Sequence, residues 1–361
     1  MLKKKTIRDV DVKDQIVLVR TDYNVPLIDD GAGNVRVASD FRVRESLPTI
    51  QYLLENGAKK VALISHLGRP EGVDEKLSLA PVAEVLAGLL PGVAVGFVEG
   101  GTMAEVAETV KAAPVGSVTL LENLRFRPEE KANSAEFAKE LVESTGATLF
   151  VQDGFAVVHR AHASTDAITT LLPSVAGLLL EKEITMLRGA LEKPEHPLVV
   201  LIGGAKVADK QPLIDEFLPV ADRIIVGGKI AADGYATDHP QIYVAEDFDE
   251  NSEGEKLDIG PISTAKIVDM LHGAKTVVWN GVLGKVEDPA YATSSTIVAQ
   301  TLGEDDGETS IICGGDTSGF VENLAAEHPD WTVSLVSTGG GAALELLTGR
   351  ELPGVAGLED K

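Results

Sequence analysis

The stretch Leu198 to Lys210, LVVLIGGAKVADK, constrains this chain more than any other. Its apolar run, Leu198 to Ile202, has the length and continuity of a strand buried on both faces, as in a parallel sheet. Gly203 and Gly204 then remove side chains where the backbone must turn. From Ala205 onward, with apolar Leu213, Ile214 and Phe217, the pattern is helical. A helix that opens after a glycine turn presents free backbone N–H groups to an anion. The reading places Lys206 in the first turn and Lys210 one turn on, on the same face. Two cations at a helix N-terminus oppose the helix dipole, and a bound polyphosphate would reverse that penalty. The plainer alternative is a strand–helix connection with two solvated lysines. Neither the G-x-x-x-x-G-K-[ST] loop nor the dinucleotide fingerprint G-x-G-x-x-G occurs in the chain.

The same grammar of strand, polar turn and helix runs through the first half. Ile16 to Val19 reads as a strand ending in Arg20, Thr21, Asp22, Tyr23 and Asn24, with a helix expected over roughly Ser46 to Glu55. Val61 to Ile64 delivers Ser65, His66, Leu67, Gly68 and Arg69. Helices are expected over Pro81 to Leu90 and Met103 to Lys111, with strands Val93 to Val98 and Ser117 to Leu121 after them. Ser117 to Leu121 leads into Glu122, Asn123, Arg125 and Arg127. A charged helix over Glu129 to Ser144 precedes strand Ala147 to Val151, which leads to Asp153, Phe155, His159, Arg160 and His162. Ligands of open α/β sheets bind at the carboxyl ends of strands. Four such ends carry arginine here.

Charge sharpens that point. The 361 residues carry a formal net charge of −24, which argues against nucleic acid as partner. Yet nine of the twelve arginines lie in the first 160 residues: Arg8, Arg20, Arg36, Arg42, Arg44, Arg69, Arg125, Arg127 and Arg160. Arginine's planar fork suits carboxylates and phosphates, so a small anion is expected in that half. No apolar run is long enough to span a membrane, the start MLKKKTIRDVDV lacks an apolar core, and Cys313 is the one cysteine. A reducing cytoplasmic setting without a disulfide framework is expected. No H-E-x-x-H spacing marks a zinc site.

Leu171 to Leu191 reads as an apolar, helix-like connector between two domains. Beyond the central stretch come strands Arg223 to Val226 and Gln241 to Val244, then an acidic loop, Glu246 to Glu255. Thr276 to Trp279 leads to Asn280, Gly281, Gly284 and Glu287; Ser310 to Cys313 to Gly314, Gly315, Asp316 and Thr317; Thr332 to Val336 to Gly339, Gly340 and Gly341. Three strand–glycine–helix junctions in one half suggest a nucleotide phosphate site. Asp316 beside such a junction is a natural magnesium ligand, because Mg²⁺ takes one or two carboxylates plus phosphate oxygens.

These residues, in order, resemble the phosphoglycerate kinase family. VLVRTDYNVPL, SHLGRP, LLENLRFRPEEKAN, QDGFAVVHRAHAST, GGAKVADK, DIGP, WNGVLG, GGDT and STGGGAALELLTGRELPGV carry the resemblance over nearly the whole chain. It implies an α/β protein of two doubly wound, Rossmann-like parallel-sheet domains joined by a hinge helix. Residues 1–172 would bind the acid substrate, 173–194 connect, and 195–345 bind the nucleotide. Residues 346–361 would pack back toward the N-terminal domain. The implied reaction is reversible in-line transfer of the acyl phosphate of 1,3-bisphosphoglycerate to ADP, giving 3-phosphoglycerate and ATP. By resemblance Asp22, Asn24, His66, Arg69, Arg125 and Arg160 bind the acid, and Arg42 and Lys206 act on the migrating phosphoryl. Gly203, Gly204, Lys206, Lys210, Asn280, Glu287, Gly314, Gly315, Asp316, Thr317, Gly339, Gly340 and Gly341 take the nucleotide, Asp316 its magnesium ion and Glu287 the ribose. A cytoplasmic monomer whose domains close on the substrates is implied. The competing class is a nucleotide- or phosphate-binding protein of the same fold with weakened turnover.

The chain departs from the family pattern at Gly154, Val157, Val158, Val282 and Val286. The larger departure lies between Gly227 and Asp258, where the family's Asn-Thr-Phe motif and further helical structure bordering the adenosine are replaced by GGKIAADGYATDHP and the acidic loop. A preference for ATP over GTP or ITP of no more than about tenfold is therefore expected.

Overall fold

The computed structural model describes residues 2–29, 31, 35–100, 102–305 and 307–361. They divide into two compact units: residues 2–182 with 351–361, and residues 183–350. The boundary falls within the helix Leu178–Glu192.

Each unit is built on a six-stranded, all-parallel sheet. In the first the order across the sheet is Val95–Val98, Ser117–Leu121, Lys60–Ile64, Ile16–Arg20, Leu149–Gln152, Ser174–Ala176. Its inner strands are buried along essentially their whole length because helices cover both faces, hence the unbroken apolar runs. Val17 and Val19 enter the core on one face and Leu18 the core on the other. The chain leaves Ile16–Arg20 to one side and later returns on the other with Leu149–Gln152, so the strand direction of travel reverses beside Arg20. That reversal opens a crevice at the carboxyl ends.

The second sheet runs Ile242–Val244, Arg223–Val226, Leu198–Ile202, Thr276–Asn280, Thr309–Cys313, Leu335–Val336. Here the reversal lies between Leu198–Ile202 and Thr276–Asn280, beside the Gly203–Gly204 turn. The α/β class with two doubly wound parallel sheets is thus what the chain forms.

Several boundaries differ from the sequence reading. The helix expected from Ser46 begins at Phe41 and runs through Pro48, so Arg42 sits in its first turn. The helix expected from Glu129 to Ser144 is two, Pro128–Lys131 and Ala135–Thr145, parted at Asn133 (φ 54°). Ser134 caps the second by accepting from Phe137 N–H. Residues 174–176 are an edge strand rather than the start of a helical connector. The acidic loop contains a hairpin, Phe248–Glu250 against Lys256–Ile259. Helices Gly228–Ala232, Pro261–Leu271 and Thr293–Glu304 had no counterpart in the reading.

The C-terminal segment belongs to the first unit. Lys5 N–H donates to Glu359 O, Glu359 N–H to Ser174 O, and Gly354 N–H to Val158 O, at 2.7 to 2.9 Å.

Candidate active site

In the first unit a buried arginine organises the strand ends. Arg20 is the last residue of its strand and fully buried. Its Nε donates to Ser164 Oγ (2.9 Å), one NH group donates to Thr21 O and Ser65 Oγ, and the other donates to His66 Nδ1 (3.0 Å). Because the guanidinium can only donate, His66 Nδ1 is unprotonated and the ring proton lies on Nε2. Burial, reinforced by Arg20, Arg125 and Arg160, pushes the His66 pKa well below its ordinary value. Glu130, fully buried, accepts from Ser164 N and Oγ and supplies the compensating negative charge.

The other acid-site candidates gather around this hub. Arg125, 4% exposed, donates through NH1 to Gly68 O (2.6 Å), while its Nε and NH2 have no hydrogen-bond partner among the described residues. Burial, with Arg20 and Arg160 nearby, lowers its pKa to about 10. His162 sits within the same charge field, and burial plus the arginines lower its pKa to about 4. Arg160 is partly buried and donates to His159 Nε2 (3.1 Å). Asn24 accepts from Gly68 N–H (2.8 Å), which ties two strand-end loops together. Asp22, almost fully buried, is ion-paired with Arg42 of helix Phe41–Glu55. Arg69 is exposed on the loop after Ile64. Unpaired buried donors in a field of like charge are costly, and a bound anion would relieve both terms.

Glu130 and Ser164 were not among the residues singled out from sequence, and Arg20 was noted as a strand-end arginine without being assigned to the acid site. Arg20 had a legible signal, an arginine ending an apolar strand. Glu130 had none, because it stands in a run of charged residues where a solvated face is the ordinary expectation.

In the second unit the glycine junctions meet around a cavity of about 610 Å³. Gly203 N–H donates to Asn280 O (3.0 Å) and Gly204 N–H to Val282 O (2.9 Å), locking the turn to the neighbouring strand end. A Cβ on Gly203 would stand 2.3 Å from Val282 O, so only glycine allows this approach. Helices Gly315–Glu327 and Gly340–Leu347 start against one another: a Cβ on Gly340 would lie 2.5 Å from Gly315 N. Two sets of free helix N–H groups therefore face one space.

Lys206 is not in the first turn as expected; it is the extended N-cap residue of helix Val207–Phe217, exposed and lining the cavity. Lys210 is partly buried, and its ammonium donates to Asn280 Oδ1. Burial lowers its pKa. Asn280 also donates through Nδ2 to Cys313 Sγ (3.2 Å), so it holds Lys210 in place with both ends of its amide engaged. Thr317 Oγ1 accepts from Gly281 N–H (2.9 Å), leaving its hydroxyl hydrogen as a donor. Asp316 presents an exposed carboxylate to the cavity from the first turn of its helix. Gly204, Gly314, Gly315, Gly340 and Gly341 line the space; Gly203, Gly339 and the exposed Glu287 do not. Leu344 in the middle of helix Gly340–Leu347, and Thr348 and Arg350 just after it, line it without having been singled out from sequence. Among the described residues no cluster of three or more His, Cys, Asp or Glu side chains is placed to hold a metal ion.

The model of the family described as phosphoglycerate kinase matches residues 7–242 and 232–350. The chain belongs to the phosphoglycerate kinase family. It is 40% identical to the phosphoglycerate kinase of Nostoc punctiforme and 41% identical to that of Coprothermobacter proteolyticus, over 98% and 99% of both chains in each pair. Solved structures of phosphoglycerate kinase from Coxiella burnetii (31% identity, TM-score 0.76) and Pyrococcus horikoshii (28%, TM-score 0.81) are similar over 98% of both chains. The alignment to the Nostoc family member extends over 405 positions, so at least 44 of them stand opposite gaps in this 361-residue chain. The two stretches matched by the family model overlap at residues 232–242, which locates an interruption of the family pattern there.

Proposed function

We propose that this chain catalyses reversible transfer of the acyl phosphate of 1,3-bisphosphoglycerate to ADP, with 3-phosphoglycerate bound by the first unit and the nucleotide by the second. The observation that carries the reading is the pairing of two anion sites of different design in one chain of this family. One is a buried guanidinium–imidazole cluster with orphan donors on Arg125; the other is a cavity at converging helix N-termini. Membership of the family supports the assignment of substrates.

The acceptor in the reverse direction is a carboxylate, already nucleophilic when ionised, so no general base is needed. Catalysis then rests on positioning and on neutralising charge as the phosphoryl migrates in line. Arg42 and Lys206 are the groups we assign to that charge, which requires the two units to close on the substrates and exclude water. Asn24, Asp22 and Arg69 complete the acid site, with Asp22 also orienting Arg42 through their ion pair.

A magnesium ion is implied by the family, and the residues fit it. The exposed carboxylate of Asp316 lines the same cavity as the two helix starts, and one carboxylate plus phosphate oxygens is a usual magnesium set. The ion would supply charge neutralisation between phosphate oxygens. Glu287 is the candidate ribose contact. We place the enzyme in the cytoplasm as a monomer, in keeping with a single buried free cysteine.

The test is a coupled assay of the purified chain with ATP, Mg²⁺ and 3-phosphoglycerate. Turnover that requires all three supports the reading. Tight nucleotide binding without turnover would favour the binding-protein alternative.

A further inference from the structure

The cavity of the second unit is furnished for phosphate far more than for a base. Lys206 and Lys210 stand at one helix, Arg350 lies just past the end of another, and glycines of three junctions line the space, with Asp209, Asp316 and Glu345 as its acidic lining. Among the described residues that line it none is aromatic, and the apolar lining consists of small or isolated groups such as Ala205, Ala208 and Leu344. A slot that discriminates between flat heterocycles needs apolar walls with a few fixed polar groups.

Where that wall would attach, the chain is short. The family pattern is interrupted at residues 232–242, directly after helix Gly228–Ala232. That helix is tied to the cavity's rim, since Ile230 N–H donates to Gly204 O (3.1 Å) and Gly204 lines the space. Chain that the relatives possess is therefore missing next to the cavity. The aromatic residue that follows, Tyr235, donates its N–H to Ile230 O (3.2 Å). Its hydroxyl lies near Gln211 and Asp215, which do not line the cavity.

We propose that this chain recognises its phosphoryl carrier chiefly through the polyphosphate, with Glu287, outside the cavity, as the one nucleoside contact assigned, and that inorganic tripolyphosphate replaces a nucleoside triphosphate as donor. The proposal rests on the kinase reading above and deepens it. In the step, an oxygen of the substrate carboxylate forms a bond to the terminal phosphorus of tripolyphosphate. The bond from that phosphorus to its bridging oxygen breaks, and the electron pair leaves with pyrophosphate. No oxidant, reductant or proton transfer is involved. Lys206, Lys210 and Arg350 meet the same charges whichever group the inner phosphate bears.

The experiment measures kcat/KM for ATP, GTP, UTP and tripolyphosphate at one saturating magnesium concentration with 3-phosphoglycerate as acceptor. The three nucleotides are expected within tenfold of one another and tripolyphosphate within a hundredfold of ATP. A preference for ATP of a hundredfold over GTP and UTP, or no turnover of tripolyphosphate, overturns the proposal while leaving the kinase reading intact. If no donor is turned over, the kinase reading falls, and calorimetric titration with the magnesium complexes of ADP, GDP and pyrophosphate settles recognition. Affinities within tenfold of each other sustain base-independent binding; binding of ADP alone overturns it. Tyr235→Ala is expected to leave the ATP-to-GTP ratio within twofold. A tenfold change would assign a base platform to that ring and overturn the proposal.

Discussion

Lys206 and Arg125 show two ways in which one side chain can be placed for an anion. Lys206 is an exposed N-cap residue that lines the cavity. Its contribution on our reading is made in the transition state, so Lys206→Ala should lower kcat by roughly 10²–10³ with little change in either KM. An unchanged kcat with a raised nucleotide KM would remove it from that role. Arg125 is the opposite case, a buried guanidinium with two nitrogens unpaired and like charges around it. Replacing a poorly compensated buried charge by an apolar side chain of similar length often leaves stability unchanged or raises it. Arg125→Met should therefore leave the unfolding free energy of the free protein within about 1 kcal/mol of the parent or above it. The same variant should raise KM for 3-phosphoglycerate steeply. Loss of stability without loss of affinity would mean that the arginine serves the fold and not the ligand.

At the scale of elements, the phosphate site depends on two helices starting in van der Waals contact. Gly340 faces Gly315 N at a distance no Cβ can occupy, and both helix starts line one cavity. Gly340→Ala must push the starts apart, an overpacking that costs about 1–3 kcal/mol. We expect the nucleotide KM to rise tenfold or more while KM for the acid substrate, bound by the other unit, is unchanged. Equal changes in both constants would point to general loosening. Gly203 is held to the same standard by Val282 O, and Gly203→Ala serves as a second measurement.

For the whole molecule, pH and closure are the informative variables. His66 and His162 both have pKa values depressed in the folded state, His162 to about 4, by burial and the surrounding arginines. A neutral imidazole held below its unfolded value of about 6.5 means that the unfolded chain takes up protons first on acidification. Stability is therefore fully present above about pH 6.5 and declines as pH falls toward 4. Urea midpoints measured across that range should fall less steeply for His162→Gln than for the parent if His162 carries part of the slope. Parallel curves would exclude it. Closure is tested by solution scattering: with both substrates the radius of gyration should be smaller than with either alone. Equal values in all states would count against Arg42 and Lys206 meeting on one phosphoryl group.

Much of this was readable from residue order because parallel strands buried on both faces write themselves as short apolar runs, and their functional ends follow immediately. Arg20, His66, Arg125, Lys206 and Asp316 all stand within a few residues of such a run, and Arg160 follows eight residues after its strand. The doubly wound class follows from the same alternation of strand and helix. Three things were decided only in three dimensions. Helix Phe41–Glu55 begins five residues before the expected Ser46 and passes through Pro48, because tertiary packing of Val43, Ile50 and Leu53 outweighs the lost backbone hydrogen bond. The buried charge of Glu130 depends on a meeting with Ser164 across 34 residues, which no local pattern encodes. The convergence of two glycine helix starts on one cavity depends on which strands lie side by side. Spacing along the chain carries the identity of each phosphate-binding turn, but only the strand order, set by long-range pairing, determines that the turns face the same space.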